Sequence, residues 1–442
     1  MKTALVSIAV CLSAVCLAAD QPPGWLKEAA STPMFKIDAK APAVVLLDEQ
    51  RVKIDDSGKR MIVSRKAIKV LNQEGRTEAR GIEHYRVGSS KVTDFHAWII
   101  SPEGQTKQLG KGRVVDIAAL NNDIYSDLRA KLVTADADVM ADSVFGFEAV
   151  SEDKSIFTQF EWHFQDRLPV MTSRFALRVP AGWRVESVTF NTPKIEPAVA
   201  GGTYTWEMGR LPMIEAEPHA PGAHGLAPRI GVTFIPPGAV KNAAGPSFAN
   251  WRDVSVFHQA LVEGTQTGSD DMAAKTRELI ANAKSDMEKI AAIGKYAQSI
   301  NYIATATNVG RGGGYRPHPA ADVFAKSYGD CKDKANLMRA MLKIVGIDSY
   351  LTAIYSGDRT YVRPEWPSPS QFNHMIIGVK VQGDTAAPAV VENAALGRLL
   401  FFDPTDDAIP LGYLPAHEQD SWALVIAGEN DILLALLAYG IA

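Results

Sequence analysis

Three side chains in the second half of the sequence, Cys331, His374 and Asp403, are of the types that carry out acyl transfer through a thiol, and 43 and 29 residues separate them. Such chemistry needs a deprotonated nucleophile, a base that shuttles its proton, and a third group that holds the imidazole in one tautomer. Cys331 lies in the stretch Tyr328-Gly329-Asp330-Cys331-Lys332-Asp333-Lys334-Ala335. Cys331, Ala335, Met338, Leu342 and Val345 fall on one face of a helix. Asp330 is a suitable N-cap and Gly346 a suitable stop. In the first turn, unpaired amides and the positive end of the helix dipole favour an anion. Lys332 and Lys334 oppose that dipole but would stabilise a thiolate nearby. A turn poor for folding and good for an anion is the kind of local conflict expected at a working site. The competing reading is a structural cysteine buried on the core stripe.

The elements that must position these groups follow from the pattern around them. Phe372, His374 and Ile376 alternate with Met375, Ile377, Val379 and Val381, which is a strand. Leu399 to Phe402 is a second strand, ended by Asp403-Pro404-Thr405. Adjacent antiparallel strands packed on the Cys331 helix would bring the three groups together. A buried Asp403 would then need a donor, and an imidazole N–H is a good one. Alternatively His374 is a packed strand histidine and Asp403 a turn former. Helices are expected from Phe248, over Ala273 to Ala283, and after the capping box Ser285-Asp286-Met287-Glu288. Asn301-Tyr302-Ile303 reads as a short extended piece. Arg311-Gly312-Gly313-Gly314-Tyr315 lacks the Lys-Ser/Thr ending of a phosphate loop, which excludes nucleotide binding of that kind.

The first half reads as β. Val52 and Ile54 lead through Asp55-Asp56-Ser57-Gly58 to Met61 and Val63, a hairpin signal. Further short strands with regular turns over 43–240 predict an antiparallel, sandwich-like domain. His84, His96 and His163 have no ligand spacing. His219 and His224, in a Pro/Gly-rich stretch, lack a Cys, Asp or Glu to complete a metal site.

Composition narrows the classes. Hydrophobic residues make up 46% and charged residues 22% of 442, enough for ordinary globular cores. A net charge of −4 and no Lys/Arg cluster argue against a nucleic-acid partner. Met1-Lys2-Thr3, an apolar run and small residues up to Ala19 predict a secretory signal over 1–19, broken off by Pro22-Pro23-Gly24. The run is too short to span a bilayer. Of the three cysteines, Cys11 and Cys16 leave with that signal. Cys16 is a poor lipoprotein cysteine because bulky Val15 precedes it. The mature chain keeps Cys331 alone, and a lone thiol in an oxidising compartment is a liability unless buried or used.

The stretch around Cys331, with Phe372-Asn373-His374 and Phe402-Asp403-Pro404-Thr405, resembles the transglutaminase-like, papain-like superfamily core. Tyr125-Ser126-Asp127 and Phe164-Gln165-Asp166-Arg167-Leu168-Pro169-Val170 resemble, more weakly, the DUF3857 domain that precedes this core in many exported bacterial proteins. The resemblance implies a nucleophile at Cys331, a base at His374, an orienting acid at Asp403, a thioester acyl-enzyme and no cofactor. It also implies an oxyanion held by the Cys331 amide and one upstream donor, Tyr302 or Tyr315. Relatives often carry a further β domain after the core, and this sequence ends soon after Trp422.

The expectation is therefore an α+β chain. It comprises a signal peptide (1–19), a linker (20–42), a β-rich domain (43–240), a catalytic core of helices packed on an antiparallel sheet (248–415) and a tail (416–442). The expected function is secreted or periplasmic, cysteine-dependent acyl transfer on peptide or protein amides, without metal. The acceptor, water or an amine, is open. The alternative is a non-catalytic envelope protein that binds or scaffolds through its β-rich half.

Overall fold

The computed structural model describes residues 21–119, 128–154, 156–218, 220–238, 245–303, 314–383, 385–430 and 432–436. The signal with Cys11 and Cys16, Tyr125-Ser126-Asp127, His219, and Arg311 to Gly313 lie outside the described residues. The chain is α+β, with a β-rich first half and helices packed on a curled sheet in the second.

The first half opens with helix α1 (Gly24–Ser31) and strands β1 (Ala43–Ile54), β2 (Arg60–Val70), β3 (Arg80–Arg86), β4 (Ser90–Ile100), β5 (Thr106–Gln108), β6 (Val115–Ala118) and β7 (Leu128–Thr134). It continues through β8 (Val144–Asp153), β9 (Gln159–His163), β10 (Val170–Arg178), β11 (Arg184–Phe190), β12 (Ala198–Ala200), β13 (Thr203–Leu211), the short helix α2 (Ala223–Leu226) and β14 (Arg229–Ile235). Eight of these strands form one sheet in the order β12-β13-β10-β1-β2-β8-β4-β5. Two three-stranded sheets, β11-β14-β9 and β3-β7-β6, accompany it. The hairpin expected at Asp55 to Gly58 is present, with Ile54 opposite Arg60. One pair, β1 with β10, is parallel. The segment expected as a linker contains α1, because Leu26 and Ala29 bury against Val44, Leu46 and Trp98 of the sheet.

The second half holds α3 (Trp251–Val262), α4 (Asp270–Leu279), α5 (Asp286–Ser299), β15 (Asn301–Tyr302), α6 (Ala320–Lys326), β16 (Tyr328–Gly329) and α7 (Cys331–Ile344). Strands β17 (Ser349–Ile354), β18 (His374–Lys380), β19 (Val390–Asn393), β20 (Gly397–Phe402), β21 (Trp422–Val425) and β22 (Leu433–Ala435) follow. They form a sheet in the order β19-β20-β18-β17-β21-β22. Side chains Leu337, Met338 and Met341 of α7 pack on Leu351, Met375, Ile377 and Phe402. The opposite face of the sheet buries Ile354, Ile376, Leu399, Phe401 and Val425. The segment expected as a tail therefore differs in part: β21 pairs with β17, because Ala423, Leu424 and Val425 complete both apolar layers. That register was hidden in the sequence by the polar stretch Ala416 to Ser421, which separates β21 from the rest of the sheet.

The two halves meet at the Pro-rich loop 361–371, which leads directly into β18. Arg229, nearly unexposed, ion-pairs with Glu161 and donates to the Tyr361 carbonyl. Tyr361 Oη donates to Glu161 Oε2 at 2.9 Å, and Gln159 Nε2 donates to the Pro367 carbonyl at 2.9 Å. Gly231 of β14 lies against Trp366 so closely that a Cβ there would sit 2.3 Å from Trp366 Cδ2. Gly231→Ala should therefore lower stability by about 1–3 kcal/mol through overpacking, read from the urea midpoint. An unchanged midpoint would show that this junction yields to an added methyl.

Candidate active site

Cys331 is the first residue of α7, as the apolar stripe predicted. Asp330 caps the helix: its carboxylate accepts from Asp333 N at 3.3 Å, and Asp333 Oδ2 accepts from Asp330 N at 3.2 Å. This reciprocal box fixes the turn on which the thiol sits. Asp333, wholly buried, also accepts from the amide of His318 at 2.7 Å and from its ring Nδ1 at 3.0 Å. The two lysines are placed differently from each other. Lys332 ion-pairs with Asp330; burial lowers its pKa, but the charges of Asp330 and Asp333 outweigh burial and raise it. Lys334 turns away from the sulfur and donates to the carbonyls of Gln298 and Ile300 at 3.1 and 2.8 Å. Its role is to close the end of α5, whose last carbonyls lack partners within the helix.

His374 is the first residue of β18, paired across to Ile354. In the β18–β20 ladder Ile377 faces Phe402, so continuing that register sets Asp403 opposite Ile376, two residues from His374 and on the same side. His374 Nε2 and Asp403 Oδ2 are 3.1 Å apart. Asp403 is almost wholly buried, and Thr405 donates to it twice, from its amide to Oδ1 and from its hydroxyl to Oδ2, both at 2.8 Å. The Cys331 side chain also acts on the His374 ring and favours its charged form. With Nε2 given to Asp403, Nδ1 is the nitrogen left for the sulfur. The three distant residues are thus brought together around one imidazole.

The electrostatics follow from burial and these partners. Burial alone would lower the His374 pKa. The hydrogen bond to Asp403 and the influence of Cys331 outweigh it and raise it well above the usual imidazole value. Burial pushes Asp403 up, but the His374 hydrogen bond and charge and the Thr405 donors bring it below its usual range. The site is built to hold an imidazolium between two acidic groups.

Several participants were not foreseen. Glu418, in the polar stretch before β21, is wholly buried with Oε1 3.5 Å from His374 Nε2. Ligand atoms of His374, Asp403 and Glu418 lie within 4.8 Å of one another, and among the described residues no other such group does. Asp403 is, however, already engaged on both oxygens by Thr405 and His374, which is the pattern of a hydrogen-bonded set and not of an open metal shell. Asn373 of the Phe372-Asn373-His374 motif ties down the turn after β17, accepting from Ser356 N at 2.7 Å and donating to Ser356 O at 3.0 Å. Glu418 and Ser356 sit in stretches without periodicity, so no pattern flagged them. Thr405 and Asn373 adjoin named residues, and their side-chain chemistry was the available signal.

Of the two oxyanion candidates, Tyr302 in β15 pairs with Gly329, two residues before Cys331. Tyr315 packs against Phe157, Phe257 and His258, and burial pushes its phenol up to about 12. His258 is buried on the core side of α3, and burial lowers it to about 4. His224 packs on His163 with ring centres 4.9 Å apart and planes tilted by 38°, beside Tyr361.

A thiol at a helix start, packed on an antiparallel sheet that presents an imidazole and a carboxylate, defines the class to which the second half is similar. The comparisons agree: the chain carries a DUF3857-type domain followed by a transglutaminase-like core. Residues 56–215 match the Domain of Unknown Function with solved-structure structure (DUF3857), and residues 273–385 match the Transglutaminase-like superfamily. The second span contains Cys331 and His374 and ends before Asp403. Among solved structures, a "putative protease" from Parabacteroides distasonis is similar in fold, with a TM-score of 0.68 at 12% identity over 90% of this chain and 72% of that one. A "putative cysteine protease" from Cytophaga hutchinsonii aligns at 11% identity over 78% of this chain and 76% of that one, with a TM-score of 0.23. No curated protein matches the chain.

The Asp333 carboxylate supports the nucleophile's turn through three hydrogen bonds, two of them from backbone amides that would be left without a partner. Asp333→Ala should cost about 3 kcal/mol in urea unfolding. A loss under about 0.5 kcal/mol would mean the turn holds without its box.

Proposed function

We propose that this protein is an exported, cysteine-dependent enzyme that transfers or hydrolyses the acyl group of peptide or protein amides. The observation that supports this best is the single imidazole of His374, on which Cys331 and buried Asp403 both act, Asp403 through a hydrogen bond. In this reading the Cys331 thiolate attacks the amide carbonyl and forms a tetrahedral intermediate. The amide N–H of Cys331, free at the first helical position, and one further donor hold the oxyanion. The His374 imidazolium protonates the leaving amine, the C–N bond breaks, and a thioester remains on Cys331. Neutral His374 then takes a proton from the acceptor, water or an amine, as it attacks the thioester and frees the sulfur. Asp403 holds the ring in one tautomer throughout and stabilises its charged form. Tyr302 is favoured as the further donor, because its strand borders Gly329 while Tyr315 is enclosed by aromatic rings. Export rests on the leader at 1–19 and on the single cysteine left after its removal.

Two outcomes follow. Incubated with p-nitrophenyl acetate, the wild type should release a burst of nitrophenol and carry one acetyl group on Cys331 by peptide mass mapping. His374→Ala should slow that acylation by about a hundredfold or more, and Asp403→Ala by a similar order. Equal acylation in wild type and His374→Ala would sink the enzyme reading and favour the binding-protein alternative.

Secretion with the native leader should yield a mature chain starting at Asp20 by N-terminal sequencing. An intact Met1 on secreted protein would contradict the export proposal.

A further inference from the structure

Glu418 is a wholly buried carboxyl that the acyl-transfer scheme does not use. Its Oε1 lies 3.5 Å from His374 Nε2, the nitrogen that Asp403 Oδ2 already engages at 3.1 Å. Neither Glu418 oxygen has an N–H or O–H in hydrogen-bonding geometry. As a carboxylate it would be buried, unsatisfied and beside a second carboxylate, a combination proteins avoid. As an acid it has a use for its proton, because an oxygen of the Asp403 carboxylate lies within 4.8 Å, at the same His374 nitrogen.

We propose that Glu418 is a fourth member of the site, a positioning residue that holds a proton, donates it in a hydrogen bond to Asp403, and on losing it sets a second carboxylate beside His374 Nε2. This rests on the acyl-transfer reading, in which His374 and Asp403 serve Cys331. The groups facing Glu418 act on its proton in both directions. From β18 comes His374, whose charge opposes protonation; from the end of β20 comes Asp403, whose charge favours it. From the turn after β17 comes the Ser356 hydroxyl, outside hydrogen-bonding geometry but near enough to oppose it. From its own stretch comes His417, whose Nε2 is 3.9 Å away on a half-exposed ring, and Lys334 of α7 acts on Asp403. Burial and the Asp403 charge prevail and push the Glu418 carboxyl from 4.5 up to about 8.

The pair then behaves as two carboxyls with one proton. Below about pH 8 it carries one negative charge, and Asp403 Oδ2 is held toward His374 by the Glu418 hydroxyl as well as by Thr405. Above that, Glu418 gives its proton to solvent. Two carboxylates then stabilise the imidazolium, which becomes a weaker acid toward the leaving amine. Transfer from amides should decline on the alkaline side for this reason. The sign for folding is also fixed. The folded pKa exceeds the unfolded value of 4.5, so the stabilising effect of the bound proton is complete below about 4.5 and is lost as pH rises toward 8.

The test uses the full mature chain. With ring-15N histidine, His374 Nε2 should show a shift step near pH 8 in wild type that is absent in Glu418→Gln. Urea unfolding should show wild type losing stability against Glu418→Gln as pH rises from 5 to 8. Alkylation of Cys331 by iodoacetamide should slow about tenfold in Glu418→Ala, the loss of one buried hydrogen bond, and be mostly restored in Glu418→Gln, whose amide can still donate. Absence of the step and of the stability difference would overturn the inference. If His374→Ala still slowed alkylation, the enzyme reading would stand without it. If His374→Ala left alkylation unchanged while the step persisted, the enzyme reading would fail and the shared proton would remain. Equimolar zinc retained by wild type and lost from Glu418→Gln would also overturn the inference, because a cation would then occupy the proton's place.

Discussion

The structure around Cys331 depends on burying a charged imidazole. Taking His374 out of water penalises its charged form, and only partners at hydrogen-bond distance reverse that penalty. Asp403 supplies one partner and is itself buried, so it needs donors of its own, which Thr405 provides from both its amide and its hydroxyl. Each polar group brought inside obliges the next, and the chain of obligations ends at Glu418, which can be satisfied only by keeping a proton. Cys331 stands at the other end of the chain, on a turn stabilised by the box between Asp330 and Asp333. The helix dipole and the imidazole therefore act on the same sulfur from two elements that fold independently of each other's local signals.

How much of this was legible in the sequence can be argued residue by residue. The α7 turn was visible because capping and amphipathicity are local: Asp330, the apolar stripe and Gly346 lie within one helix length. His374 and Asp403 were visible because strand alternation and a turn bracketed them, and because their motifs resembled those of a known core. The overall α+β layout followed from the same two periods. What was hidden was non-local. Glu418 is brought to His374 by the fold alone, from a stretch with no alternation, and nothing nearby in sequence announces a buried carboxyl. Lys334 was seen as a charge near the thiol, but its stem carries the ammonium to the end of α5, a contact only the packing of α5 on α7 defines. The final strands were hidden for a related reason, since their burial is decided by pairing with β17 and not by their own short pattern.

The β-rich half also bears on the site. The loop 361–371 is gripped from that half by Arg229, Glu161, Gln159 and Thr233. Arg229 lies over the rings of Phe190 and Tyr361, at 4.7 and 4.2 Å, so its charge is met by π faces as well as by Glu161. His163, beside them, is pushed down to about 3 by burial and then by the charges of His224 and Arg229, so it adds no charge of its own to the junction at neutral pH.

This arrangement has a mechanical consequence. Gln371 is held inside the loop by the carbonyls of Arg363 and Trp366, and two residues later Asn373 clasps Ser356. His374 comes next. The imidazole thus follows directly on a segment that is fixed at both the β-rich half and the turn after β17. A hydrogen-bonded catalytic set tolerates displacements of only a few tenths of an ångström, and a strand start is ordinarily where backbone position is least certain. Anchoring that start to a second, separately cored body removes the uncertainty without adding any group to the site. On the acyl-transfer reading proposed above, the β-rich half would serve the chemistry by holding one strand end still.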